Sequence, residues 1–123
     1  MLLKKSVIIT TTILTLGTPA LAVNWSFVGR NQDGSSHFVD QESITLDQES
    51  QAQSFRVMIL VMLKDGSVNR ETVFTHNLIN CTEKTHKLVS FYQKGAEANL
   101  VNEHFAPIVS RSMIDNYYNF VCR

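Results

Sequence analysis

The sequence predicts an α+β domain: one antiparallel β-sheet of about six strands with a short helix at its C-terminal end. Three observations predict it. Apolar and alternating segments of strand length recur through the middle of the chain, and turn-forming residues separate them. The longest apolar segment, Phe55–Leu63, carries Val57, Ile59 and Val61, is too short to span a membrane, and ends in Lys64-Asp65-Gly66-Ser67, a good hairpin turn. After Pro107 the apolar residues change to a helical spacing.

The N-terminus stands apart from this domain. Lys4 and Lys5 precede the apolar stretch Val7–Leu16; Gly17-Thr18-Pro19 breaks it, and Ala20-Leu21-Ala22 has the small-x-small form of a cleavage site. That order predicts a secretory signal peptide over residues 1–22 and a domain over 23–123. A membrane anchor is the alternative, but Gly17 and Pro19 interrupt the stretch too early for the roughly 20 apolar residues of a span. No cysteine lies near the cleavage site, so no lipid anchor is expected.

The chain has 11 basic and 11 acidic residues, and removing Lys4 and Lys5 leaves 9 − 11 = −2. No basic block or stripe stands out, which argues against nucleic acid as a partner. Cys81 and Cys122 both lie in the exported part. An even count in an oxidising compartment favours a disulfide over free or catalytic thiols, and the absence of Cys-x-x-Cys argues against redox chemistry.

Taken in order, Asn24–Arg30 reads as a first strand with Trp25 and Phe27 on one face. Asn31–Ser36 is turn chemistry. His37–Asp40 is a short second strand, and Leu46 begins another. Asp47–Gln53 is polar and reads as an exposed turn. Ser54–Leu63 is the central strand, Val68–Asn80 the returning one, with Phe74, His76 and Leu78 facing one way and Val73, Thr75, Asn77 and Ile79 the other. In Thr85–Tyr92 strict alternation sets Lys87, Val89 and Phe91 against Leu88 and Tyr92. Gln93–Asn99 contains Gly95 and reads as loop, with Leu100 and Val101 as a brief edge strand. Ser112-Met113-Ile114-Asp115 fits a capping box with Asp115 in place of the usual Glu, opening a helix over Met113–Phe120. Val109, Met113, Tyr117, Phe120 and Val121 fall on its apolar arc. Cys122 would point to the polar side of a continued helix, so the helix must end before it to let it reach Cys81.

Candidate chemistry is sparse. His37, His76, His86 and His104 lack the close ligand spacing of a zinc site, and they read as surface or hydrogen-bonded histidines. Asn31-x-Asp33-Gly34 lacks the alternating acids and closing glutamate of a calcium loop. Asp40 ends a strand before a turn, where a carboxylate caps backbone N–H groups. Asp40, Ser112 and Asp115 are therefore expected as structural caps, with no catalytic, metal or cofactor-binding residues. Trp25, Phe27, Phe38 and Tyr92 read as core, with an aromatic binding surface as the alternative.

Several of these features in order resemble the surface-adhesin protein E-like family of small exported bacterial proteins. They are Trp25 after the signal, Phe38-Val39-Asp40 followed by Ser43-Ile44, Cys81 closing a long strand, and Pro107 with Ser112-x-x-Asp115 leading to Val121-Cys122. The chain departs from the family pattern at Phe105, where a tryptophan is expected, at Asp115 for a glutamate, and in the lack of a glycine before Ser112. The resemblance implies a helix tied to the sheet by Cys81–Cys122 and an envelope or surface location. It also implies attachment to host extracellular-matrix proteins. The function expected is an exported, non-enzymatic protein-binding module, with a soluble periplasmic accessory or inhibitor protein as the alternative. Its partner would be a host matrix protein or an envelope component, a homodimer being allowed, in the periplasm or at the cell surface, without cofactor or membrane anchor.

Overall fold

The computed structural model describes residues 23–61, 65, 72–93, 95–99 and 102–123. The expected signal peptide, Met62–Lys64, the Gly66–Ser67 end of the hairpin turn, the strand residues 68–71 and the Leu100-Val101 edge strand lie outside them. The described residues form the antiparallel sheet and C-terminal helix that the sequence predicts.

The strands are β1 (Trp25–Arg30), β2 (Ser36–Asp40), β3 (Thr45–Asp47), β4 (Ala52–Leu60), β5 (Val73–Asn80), β6 (Thr85–Gln93), β7 (Ala96–Asn99) and β8 (Ala106–Pro107); the helix α1 spans Met113–Val121. Their order across the sheet is β1-β2-β4-β5-β6-β7, with β3 beside β4 and β8 beside β6. β2 pairs with the Val57–Leu60 half of β4 and β3 with Ala52–Ser54, so together they line one side of the central strand. A single 3-10 turn, Gln41–Ser43, interrupts that side opposite Arg56.

Because opposed residues share a face of a sheet, the register divides the side chains. Val39, Phe55, Val57 and Ile79 face α1 and form the core with Tyr117 and Val121. Phe55 and Tyr117 meet edge to face, 5.9 Å between ring centres. Gly29 lets the helix lie close: a Cβ there would come within 2.6 Å of Asn116 Nδ2 and 3.2 Å of Met113. α1 ends at Val121, which frees Cys122 to bond Cys81 across a Cα–Cα distance of 5.6 Å. The disulfide and the early helix end are those the sequence requires.

Four expectations are corrected. Residues 93–99 are not all loop, because Gly95 at φ +85° turns the chain back and Ala96–Asn99 pairs with β6. The propensities of this short segment are weak, and the open edge of β6 decides the outcome. Val89 is an extra residue in β6, since His76 opposes Ser90 while Asn77 opposes Leu88. This bulge reverses the alternation, placing Lys87 with Ser90 and Tyr92, and Leu88 with Phe91. Val109 stands outside the helix and is 72% exposed rather than on its apolar arc. Asp115 does not close the expected box on Ser112. Ser112 Oγ accepts from Asp115 N, but Asp115 Oδ2 accepts from Arg111 N, one residue earlier.

Candidate functional site

The face of the sheet away from α1 carries Trp25 and Phe27 from β1, Phe38 and Asp40 from β2, Arg56 and Met58 from β4, Phe74 and His76 from β5, and Ser90 and Tyr92 from β6. These aromatics are not core. Phe27, Phe74 and Tyr92 are 57%, 39% and 48% exposed, while Trp25 and Phe38 are half-buried. The alternation that marks the aromatics as one face does not say which face the helix covers. At one end of this face Phe105 lies 5.8 Å over the Lys87 ammonium.

Asp40 organises the face. Its carboxylate is 1% exposed. Oδ1 accepts from Glu42 N at 3.1 Å, capping the 3-10 turn, and from Asn24 N at 3.2 Å, fixing the start of β1 next to Trp25. Oδ2 accepts from Arg56 Nη2. Burial disfavours the charged form of Asp40. The Arg56 hydrogen bond, the two backbone N–H groups and the guanidinium charge outweigh it and hold the carboxyl below its ordinary value. Ser43 completes the node, donating to Asp40 O at 2.7 Å and accepting Arg56 N at 2.9 Å. It thereby satisfies the β4 backbone where the neighbouring strand is interrupted.

Arg56 thus sits fixed at the centre of the face. Its guanidinium lies 5.8 Å from the Trp25 ring centre, and Trp25 leans on to Phe74 at 6.1 Å. Beside it, Arg56, Phe74, His76, Ser90 and Tyr92 line an open groove of about 330 Å³. His76 Nε2 is 2.6 Å from Ser54 Oγ. Phe27 and Phe38 pack edge to face at 5.6 Å further along.

The other histidines serve the interior or the surface. His37 is buried between Tyr117 OH (2.5 Å from Nδ1) and Asn31 Nδ2 (3.1 Å from Nε2). Burial depresses its pKa against the pull of Asp33, and burial raises that of Tyr117. Ser35 Oγ, 3.4 Å from His37 Nε2, donates instead to Asp33 Oδ1 at 2.7 Å. The histidine therefore does not take up the serine proton as a nucleophile would need. His86 Nε2 meets Asn77 Oδ1 at 2.8 Å, and His104 is exposed. Among the described residues no three His, Cys, Asp or Glu side chains gather as metal ligands. Ser112 caps α1, and Asp115, besides Arg111 N, lies 3.7 Å from Lys84 Nζ.

Sequence reasoning singled out Asp40 but not Arg56, whose single charge inside the longest apolar segment was the available signal. A family model described as surface-adhesin protein E matches residues 25–123. No curated protein and no solved structure matches the chain.

Proposed function

The chain belongs to the surface-adhesin protein E family, and on that premise we propose that it is an exported, non-enzymatic protein-binding module that attaches to a host extracellular-matrix protein. The contact surface is the sheet face opposite α1. The observation that carries this reading is the exposure of Phe27, Phe74 and Tyr92 together on that face. Aromatic clusters left in water on a small domain mark sites of association. Residues 1–22 act as a cleaved signal peptide. No helix among the described residues is long and apolar enough to cross a membrane.

Purified protein applied to immobilised matrix proteins is expected to bind, and Phe27→Ser with Tyr92→Ser is expected to lose most of the signal. Total absence of binding, under conditions where a related adhesin binds, overturns the matrix reading. Cell fractionation separates the alternative: a protein confined to the periplasmic fraction would point to an accessory or inhibitor role on an envelope component.

A further inference from the structure

We propose that the Arg56 groove takes an acidic side chain set beside an aromatic one on an extended segment of the protein partner. This rests on the protein-binding reading above and names the chemistry of its partner. The Arg56 side chain is 55% exposed, whereas Asp40, which holds it from beneath, is 1% exposed. A guanidinium has five N–H donors in a planar fork, and the Asp40 bond uses Nη2. The Arg56 side chain lines the groove with Phe74 and Tyr92 and stays accessible to solvent there. Among the described residues no carboxylate lines the groove; Asp40 balances the Arg56 charge from beneath but engages only Nη2 of the guanidinium, so the donors that remain fit a second carboxylate.

The walls decide what carries the anion. Phe74 and Tyr92 present large exposed rings, and Trp25, lying against both Arg56 and Phe74, braces them from outside the groove. The polar groups are partly spent within the protein, His76 on Ser54 and Arg56 on Asp40. An acidic sugar needs several directional partners around its ring. A peptide needs one carboxylate position and an apolar slot for its neighbour, which is what these walls supply. Asp40 also fixes the site beforehand through Asn24 and Arg56, so little ordering is lost on binding.

The test uses the processed protein purified from the expressing cell, titrated by NMR with four probes. They are acetyl-Gly-Ser-Asp-Phe-Ser-Gly-amide, the same peptide with Asn for Asp, the same with Ser for Phe, and sialyllactose. The Asp-Phe peptide is expected to bind at least tenfold more tightly than the other three. Its shifts should centre on the Trp25 indole and the amides of Phe74, His76 and Tyr92. Arg56→Lys keeps a cation for Asp40 but loses the fork, and should weaken the Asp-Phe peptide severalfold while leaving the Asn peptide unchanged. Phe74→Ala should weaken both. Equal binding of the Asp and Asn peptides, preference for sialyllactose, or shifts elsewhere or absent would each overturn the proposal. Matrix capture that survives Phe74→Ala with Tyr92→Ser sinks the groove and spares the adhesive reading. Peptide binding at the groove without any matrix capture does the reverse.

Discussion

Acid should weaken this fold through His86 before its carboxylates titrate. Asn77 is 2% exposed, and its Nδ2 donates to Thr75 Oγ1 at 2.8 Å, which turns Oδ1 toward His86 Nε2. The ring therefore carries a proton on Nε2, and its burial keeps it neutral at pH 7. Burial lowers its pKa from 6.5 to about 4. A folded pKa below the unfolded one means that the unfolded chain binds more protons between the two values. The stability is thus complete above 6.5 and falls as pH drops toward 4. Between pH 7 and pH 5 this one group is worth about 2 kcal/mol. His37, depressed in the same direction, adds to the slope, whereas the low carboxyl pKa values of Asp33, Asp40 and Asp47 take effect only at lower pH. Urea unfolding at pH 7 and pH 5, followed by the fluorescence of the single tryptophan Trp25, measures the loss. His86→Gln keeps an N–H for Asn77 but cannot titrate. It should remove about 2 kcal/mol of the pH difference while leaving the His37 part. If the parent protein and His86→Gln lose equal stability on acidification, the assignment of a buried neutral His86 is wrong.

Three further outcomes follow from the same geometry. Replacing both cysteines by alanine removes a link between residues 41 apart and should cost about 4 kcal/mol by the loop-closure relation, read as a lower urea midpoint with an unchanged far-UV spectrum at low urea. Asp40→Asn keeps an oxygen for Asn24 N and Glu42 N but sets an amide N–H against Arg56 Nη2 and should cost about 2 kcal/mol; its distinguishing mark is a shift in Trp25 emission in the folded state, since the Arg56 guanidinium beside the Trp25 ring loses its anchor. Tyr117→Phe strips His37 Nδ1 of its 2.5 Å partner and should cost about 1–2 kcal/mol in the same unfolding assay at pH 7, with matrix binding unchanged.

How far the sequence could be read depended on where its regularity held. β4 was plain because Phe55, Val57 and Ile59 alternate with Met58 and Leu60, which makes the strand apolar on both faces, although only one of them is covered. The helix was plain because Ser112 caps it and Tyr117 and Val121 repeat at four. The disulfide needed only two cysteines and a helix that stops at Val121. Period two carries facing information only until a residue is inserted, and Val89 is such an insertion. Across it, Leu88 and Tyr92 part company, and so do Lys87 and Phe91, although Tyr92 does share a face with Trp25, Phe27 and Phe38. β7 was missed for another reason. Ala96–Asn99 has no strong preference of its own, and it is a strand because β6 offers it a ladder and Gly95 turns it round.

The choice of which face α1 covers is the step that makes the site, and hydrophobicity does not decide it. Both faces of β4 are apolar, with Phe55 and Val57 on one and Met58 on the other, and both neighbours carry aromatic or branched groups. What breaks the tie is polar and steric. The far face holds the Asp40–Arg56 pair, whose guanidinium the apolar arc of α1 would have to strip of water, at a cost of several kcal/mol. The near face offers Gly29, where Asn116 Nδ2 and the Met113 side chain pack closely against the backbone and would have to shift for a Cβ. It also offers Cys81, at the end of β5, for Cys122. Once the helix is committed there, Phe27, Phe74 and Tyr92 have no element of this chain left to cover them among the described residues. The buried Asp40 that keeps the helix away is thus the same group that fixes Arg56 and Trp25 in the uncovered face. Stability of the fold and readiness of the site are consequently coupled through one carboxylate.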